Sequence, residues 1–217
     1  MKALIFDFDG TILDTETPEF VAWTALYQRF EQVLNTQDWG RGIGTWGGFD
    51  PWLDLEQKIG YALPRETLQA EHREEVLRLI HASSLLAGTK ELILEAKAAG
   101  LQLAIASSSD YDWVSGWTQK HGILEYFDAT ATRYEVEKVK PDPALFLLAL
   151  HKLGLSAHEA VVLEDSPNGA KAALAAGIAC VVIPNSVTKN LEFPSGVIRL
   201  ETLANISLLE LERRLQP

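Results

Sequence analysis

The chain has 217 residues, enough for one large domain or for a domain that carries an insert. Its 30 acidic residues outnumber its 19 basic ones, and the formal net charge of -11 disfavours nucleic acid and anionic membranes as partners. The single cysteine, Cys180, excludes an intramolecular disulfide and a cysteine-cluster metal site. Asp7 comes too early for a signal-peptide core, and no apolar run approaches about 18 residues, so we expect a cytoplasmic protein.

The first element is an apolar run over residues 3–8, which is bounded by Asp-Gly and is typical of a buried parallel strand. From residue 86 onward, further strands of this kind alternate with short helices, and each of these helices ends at a glycine. The strands are predicted at 101–106, 160–163 and 179–183, and the helices at 90–99, 110–121, 142–154 and 170–176. This alternation predicts an α/β fold with a Rossmann-like, open parallel sheet.

Residues 15–85 interrupt this alternation because they contain no strand-like apolar run. Large apolar residues at helical spacing predict a helix over 20–33, and Asp-Pro and Pro-Arg pairs at 50–51 and 64–65 begin two more helices. We therefore predict an α/β catalytic core made of residues 1–14 and 86–217. Residues 15–85, which we call the insert, form a small all-helical unit after the first strand.

Polar residues follow three of the predicted strands at their carboxyl ends, where open α/β sheets bind ligands. Asp7 and Asp9 follow the first strand, Ser107 follows the second, and Glu164 and Asp165 follow the strand over 160–163. Four carboxylates in one crevice repel one another unless a cation lies among them, and a set of oxygen ligands favours Mg²⁺. The alternative is that each acid only caps a turn or a helix, but their shared position at strand ends favours a metal site.

These strand-end residues, together with residues 140–143, resemble the motifs of the haloacid dehalogenase superfamily, and most closely those of its β-phosphoglucomutase-like branch. The four motifs are residues 7–15 (DFDGTILDT), Ser107, residues 140–143 (KPDP) and residues 164–169 (EDSPNG). They occur in the family's order and extend over essentially the whole chain. In that branch the insert is a cap that selects the substrate.

The resemblance implies a phosphatase that hydrolyses a small phosphorylated metabolite, such as a sugar phosphate, through an aspartyl phosphate. Asp7 would attack phosphorus, and Asp9 would protonate the leaving alcohol and then deprotonate the attacking water. Side chains two residues apart on a strand lie on one face, so the two carboxylates can share one phosphate. Ser107 and Lys140 would bind the phosphoryl group, and Lys140 would also neutralise the charge of Asp7.

The same resemblance implies how Mg²⁺ is held. Its ligands would be the Asp7 carboxylate, the main-chain carbonyl of Asp9 and the Asp165 carboxylate, with Glu164 close by. Two more candidates for substrate binding in these motifs are Thr11 and Ser108.

Substrate selection is expected to lie in the glycine-rich segment 40–49 of the insert, which we predict to be a mobile loop. Arg41 could bind a second anionic group of the substrate, and Trp46 could cover the face of a sugar. The alternative is that the loop only joins two helices, with Trp46 and Phe49 packed in the insert's own core. Residues 42–47 also match G-x-G-x-x-G, but they follow no strand, which argues against a dinucleotide site.

The alternative enzyme is a sugar phosphomutase. In the mutases a histidine on the first cap helix holds back the acid/base aspartate until substrate binds, whereas Glu19 stands at that position here, as a further candidate for contact with the substrate. This difference favours hydrolysis, and Asp9 argues against dehalogenation because the dehalogenase branch lacks a second aspartate. A non-catalytic module that binds a phosphorylated metabolite is disfavoured because all the catalytic positions are filled. We expect a monomer whose partner is a small phosphorylated metabolite, with no nucleic acid and no membrane.

Overall fold

Six strands form one parallel sheet in the computed structural model, which describes residues 1–215. The strands are β1 (Ala3–Phe6), β2 (Gln102–Ala106), β3 (Ala129–Ala131), β4 (Ala160–Glu164), β5 (Ala179–Val182) and β6 (Ile198–Arg199). They lie in the order β3-β2-β1-β4-β5-β6, and every neighbouring pair is parallel. The α/β fold with an open parallel sheet is thereby confirmed.

Helices cover both faces of this sheet. In the part of the chain outside the insert they are α5 (Thr89–Ala98), α6 (Tyr111–Lys120), α7 (Ala144–Leu153), α8 (Pro167–Ala175) and α9 (Leu208–Arg214). Leu4 and Phe6 of β1 pack in one apolar layer with α5, α6 and α9, whereas Ala3 and Ile5 pack in the opposite layer with α7 and α8. Because both faces are covered, β1 is a continuous apolar run instead of an alternating one.

The elements that the sequence did not predict are short or lie at the edges of the sheet. β3 and β6 have three and two residues and flank the sheet, and α9 lies near the end of the chain. Such strands give no apolar run long enough to stand out from a loop. The predicted strand over 3–8 ends at Phe6, although Asp7 and Phe8 are also buried.

The insert contains four helices: α1 (Glu16–Arg29), α2 (Thr36–Gly40), α3 (Pro51–Ile59) and α4 (Arg65–His81). Their own apolar cluster includes Trp23, Tyr27 and Leu55, while Val76 and Ile80 of α4 pack in the layer formed by α5, α6 and α9. The helical content agrees with the sequence interpretation, and the division into two units at residues 15 and 85 stays a prediction. Within the described residues, no helix combines the length and the apolar character needed to cross a membrane.

Candidate active site

A lysine and two carboxylates are buried together where β1 and β4 end. Lys140, fully buried in the loop before α7, has its Nζ in contact with Asp7 Oδ1 and donates to Glu164 Oε1 at 2.8 Å. Asp7 follows β1, and Glu164 is the last residue of β4, the neighbour of β1 in the sheet. Parallel pairing therefore brings these two carboxylates to one edge of the sheet.

The second oxygen of Glu164 is bound by the start of α8. Glu164 Oε2 accepts hydrogen bonds from the main-chain N–H groups of Asp165 and Ser166, each at 2.9 Å, and from Ser166 Oγ at 3.0 Å. Gly169 lies so close that a Cβ at this position would overlap the Glu164 carboxylate. The EDSPNG motif is thus a helix start built around a buried carboxylate, where free N–H groups and the helix dipole stabilise negative charge.

Asp165 lies beside this cluster with one oxygen bound and one free. Its Oδ2 accepts a hydrogen bond from Asn185 Nδ2 at 2.7 Å, and its Oδ1 is buried with no hydrogen-bond partner within residues 1–215. Gly10, at a φ of +81°, approaches the same carboxylate so closely that a Cβ would overlap it. Because that φ also disfavours other residues, the Asp-Gly turn after β1 requires glycine for two reasons.

The carboxylates fit a hard divalent cation. One oxygen each of Asp7, Glu164 and Asp165 lies within 4.8 Å of the others, and all three residues are buried. Among the described residues, Asp7 Oδ2 and Asp165 Oδ1 have no hydrogen-bond partner, so two buried carboxylate oxygens are free to contact a cation or a substrate. In the part of the chain that the structure describes, no cysteine or histidine belongs to this group, and a set of oxygen donors suits Mg²⁺.

The charge balance of the cluster points the same way. Burial, followed by the nearby charges of Glu164 and Asp9, raises the pKa of Asp7 to about 8 against the opposing effect of Lys140. Burial and the charge of Glu164 raise the pKa of Asp165 well above its ordinary value. Burial by itself would lower the pKa of Lys140, but the neighbouring carboxylates outweigh it and raise that pKa. One lysine therefore leaves an excess of negative charge, which a cation would offset.

Asp9 is held by four donors instead of by Lys140. Its Oδ1 accepts from Thr15 Oγ1 and from Trp113 Nε1, both at 2.9 Å. Its Oδ2 accepts from Ser109 Oγ at 2.6 Å and from Ser107 Oγ at 3.3 Å. Asp7 and Asp9 line the same cavity, so both carboxylates can reach one ligand.

This cavity has a volume of about 1050 Å³, which is large enough for a small phosphorylated molecule. Acidic groups from α1, Glu16 and Glu19, line it together with the strand-end aspartates. Its basic lining residues are Arg73 on α4, Lys120 on α6 and Arg133 in the loop after β3. The wall of the cavity therefore offers charges of both signs.

The glycine-rich loop 40–49 is docked against the strand-end site. Ser108 Oγ donates to the main-chain oxygen of Gly44 at 3.0 Å, Asn168 Nδ2 donates to that of Ile43 at 2.8 Å, and Thr45 Oγ1 contacts that of Lys140. Ser108, a predicted substrate contact, thus lines the cavity while it holds the loop. The loop is well anchored in this structure, and its mobility stays a prediction.

Two residues of this loop were expected to meet the substrate. Trp46 is 66% exposed, lines the cavity and stacks against the guanidinium of Arg133, which lies 3.5 Å from the ring centroid. Packing in the insert's own core is therefore wrong for Trp46, whereas Phe49 does pack there against Trp39. Arg41 does not line the cavity, because its guanidinium pairs with Asp38 Oδ1 at 2.6 Å. The expected contact of Arg41 with a second anionic group stays a prediction that this arrangement does not support.

Thr11 also lies away from the cavity. It is buried in the turn after β1, where its main-chain oxygen accepts from Thr89 Oγ1 at 3.5 Å, and its hydroxyl has no partner. Its proposed contact with the substrate is therefore not supported, because its position beneath the turn removes it from the cavity lining. Glu19 does line the cavity, and burial together with the charge of Asp9 raises its pKa to about 7.

The sequence interpretation missed four residues of the site. Asn185 follows β5 just as the catalytic candidates follow β1 and β4, so the strand-end rule could have found it. Ser109 stands beside Ser107 and Ser108, and the sequence did not predict the contact of its hydroxyl with Asp9. Trp113 and Arg133 lie within α6 and in a loop after β3, and no local pattern distinguishes them from packing or surface residues.

The chain belongs to the haloacid dehalogenase-like hydrolase family, whose model matches residues 1–177. It is therefore an enzyme of the hydrolase class, as the four motifs predicted. Similarity to CbbY and to β-phosphoglucomutase-like proteins of known structure also confirms the predicted branch.

Three relatives illustrate the match. "Putative phosphatase YhcW" of Bacillus subtilis (strain 168) is 43% identical over 208 residues, which cover 96% of this chain and 94% of that protein. The "Phosphorylated carbohydrates phosphatase" of Thermotoga maritima is 29% identical over 82% of each chain. The crystal structure of CbbY from Rhodobacter sphaeroides in complex with phosphate has a TM-score of 0.76 and 30% identity, covering 98% of this chain and 99% of that one.

Proposed function

We propose that this enzyme is a Mg²⁺-dependent phosphatase that hydrolyses a small phosphorylated metabolite, such as a sugar phosphate, through an aspartyl phosphate on Asp7. The observation that carries the proposal is the state of the Asp7 carboxylate. One of its oxygens contacts the buried Lys140, and the other is buried without a hydrogen-bond partner at the edge of a large cavity. An oxygen held in place with a free lone pair is what in-line attack on phosphorus requires.

In the first half of the reaction, Asp7 Oδ2 attacks phosphorus and the substrate's alkoxide leaves. Lys140 offsets the negative charge of the nucleophile and of the transferring phosphoryl group. Asp9 gives its proton to the leaving oxygen. Ser107 contacts Asp9 and directly follows β2, the strand beside β1. In the second half, Asp9 takes a proton from water, and this water attacks phosphorus and releases Asp7.

A divalent cation would be held by the carboxylates of Asp7 and Asp165, with Glu164 beside them and the main-chain carbonyl of Asp9 completing the protein ligands. When bound, it supplies positive charge that stabilises the transferring phosphoryl oxygens. The buried Asp165 Oδ1, which has no hydrogen-bond partner among the described residues, and the raised pKa values of Asp7 and Asp165 support this assignment.

The substrate class is supported by the cavity and by the relatives. The name of the Thermotoga maritima relative specifies phosphorylated carbohydrates, and CbbY binds phosphate in its crystal. We assign the insert as the cap that selects the substrate, since the loop carrying Trp46 and helices α1 and α4 contribute the cavity wall away from the strand ends. A cytoplasmic location and a monomeric state stay predictions.

The test is hydrolysis of p-nitrophenyl phosphate, followed by a panel of phosphorylated sugars and small organic phosphates. We expect release of inorganic phosphate that EDTA abolishes and added Mg²⁺ restores, with Ca²⁺ a poor substitute because its looser coordination misaligns the reactants. Full activity in excess chelator would contradict the metal assignment. Isomerised sugar phosphate without net phosphate release would instead identify a phosphomutase.

A further inference from the structure

We propose that Trp113 is a positioning residue, whose indole N–H holds the Asp9 carboxyl in the orientation from which it exchanges a proton with the leaving group and with water. This inference rests on the proposed function, because it assigns Asp9 as the general acid and base. The indole Nε1 lies 2.9 Å from Asp9 Oδ1. This hydrogen bond joins α6 to the turn after β1, between residues that are 104 positions apart in the sequence.

Two contacts fix Trp113, one at its backbone and one at its ring. Asp110 caps α6 by accepting from the main-chain N–H of Trp113 at 2.8 Å, which fixes the backbone of the first helical turn. The ring packs edge to face against Trp117 one turn later, with centroids 5.7 Å apart and an interplanar angle of 72°. A donor with so little freedom can restrict the carboxyl that it contacts at a small entropic cost.

The remaining partners of Asp9 suit a group that gains and loses a proton. Thr15, Ser107 and Ser109 contact it through hydroxyl groups, each of which can turn from donor to acceptor. An indole N–H can only donate, so it binds Asp9 Oδ1 in both protonation states and favours the proton on Oδ2. The carboxyl can therefore pass through the acid and the base roles without changing its orientation.

Removing the N–H should weaken proton transfer without removing phosphoryl transfer. Trp113→Phe keeps an aromatic ring against Trp117 and deletes only the donor to Asp9. Proton donation matters most for poor leaving groups, so the kcat/KM for phenyl phosphate should fall about tenfold more than that for p-nitrophenyl phosphate, a substrate of similar shape. Because kcat/KM reports the steps up to leaving-group departure, this ratio isolates the acid role.

Three variants complete the experiment. Asp9→Asn should show the largest dependence on the leaving group, and Ser109→Ala, which removes the closer of the two donors to Oδ2, should show a smaller one of the same sign. Trp52→Phe, in the insert's own apolar cluster, controls for the loss of a tryptophan and should leave the ratio of the two substrates unchanged.

An equal loss on both substrates, no loss, or a gain in Trp113→Phe would overturn the proposal and leave Trp113 as a packing residue. A wild-type enzyme that hydrolyses neither ester would instead contradict the proposed function. If Trp113→Phe fails to fold, the indole N–H resonances of Asp9→Asn decide the question. One of the six tryptophan signals should move upfield when the charged acceptor is removed, and six unchanged signals would refute the hydrogen bond.

Discussion

The strand-end site and the glycine-rich loop 40–49 hold their side chains in different ways. Lys140 and Glu164 are fully buried and bind each other through charged atoms, whereas Trp46 is 66% exposed and contacts Arg133 through the face of its ring. The geometry of a buried ion pair is tightly constrained. If one partner is removed, the other charge stays buried and water cannot solvate it. Exposed aromatic contacts can be changed at little cost to the fold.

This difference suggests different roles for the strand-end site and for the loop 40–49. In the proposed function, the residues at the strand ends transfer the phosphoryl group, and the loop and its neighbours select the ester from which it comes. Substitutions in the first region should therefore abolish activity or stability. Those in the second should change the ranking of substrates.

The largest effect should come from Asp7→Asn. The amide is nearly isosteric but cannot attack phosphorus, so we expect kcat for p-nitrophenyl phosphate to fall by at least about 10³-fold. Asp14→Asn, in the same motif, is the matched control and should remain within about threefold of wild type, since within the described residues the Asp14 carboxylate accepts a hydrogen bond only from the main-chain N–H of Thr17. Steady-state hydrolysis in Mg²⁺ measures both. Substantial activity in Asp7→Asn would exclude the covalent mechanism.

Lys140→Gln should both destabilise and inactivate the enzyme. It leaves Asp7 and Glu164 buried without their shared counter-charge, so the free energy of unfolding should fall by about 3 kcal/mol or more. Lys138→Gln is the control, because this nearby lysine is exposed and should change stability by less than about 0.5 kcal/mol. Urea denaturation without added metal separates the two. Equal stability of the two variants would show that the buried ion pairs are not formed.

Trp46→Ala should alter selectivity more than stability. The loss of the contact between the ring and the substrate should lower kcat/KM for a sugar phosphate by up to about tenfold. The kcat/KM for p-nitrophenyl phosphate should fall less. Phe49→Ala is the converse variant, since Phe49 packs against Trp39 and its truncation should lower the melting temperature. A melting temperature that falls as much in Trp46→Ala as in Phe49→Ala would make Trp46 a packing residue.

The smallest effect concerns Glu19 and pH. Burial and the charge of Asp9 raise its pKa in the folded state from 4.5 to about 7, so the folded protein binds this proton more tightly than the unfolded chain. The resulting stabilisation is complete below about pH 4.5 and is lost as the pH rises through about 7. Its side chain is 40% exposed, so the effect should be small. Glu19→Gln should flatten the dependence of unfolding free energy on pH in this window, and an unchanged slope would contradict the assignment.

The predictable residues of the site are those marked by a local sequence pattern. Asp7, Asp9, Glu164 and Asp165 end apolar runs that are recognisable by themselves, and parallel pairing then brings those ends together. Asn185 obeys the same rule after β5 and was overlooked. The same locality explains why the central strands were found and the short edge strands were not.

The rest depends on how distant elements dock. Trp113 reaches Asp9 only because α6 starts beside the end of β1, and Arg133 meets Trp46 only because the loop of the insert lies on the core. The pairing of Arg41 with Asp38, three residues away, is a local contact. The sequence analysis did not consider this pairing when it expected Arg41 to bind an anionic group. Side chains that cover a cavity from another element carry no signal in their own segment, which is why the substrate contacts were the weakest predictions.

The most direct test of the central claim is to trap the covalent intermediate. The enzyme is mixed with excess p-nitrophenyl phosphate and Mg²⁺, quenched in acid, treated with borohydride to reduce acyl phosphates to alcohols, and digested for mass spectrometry. Our account predicts homoserine at position 7 alone, in a yield that requires both substrate and Mg²⁺ and that is absent from Asp7→Asn. Turnover without modification of Asp7, or reduction at another carboxylate, would contradict it.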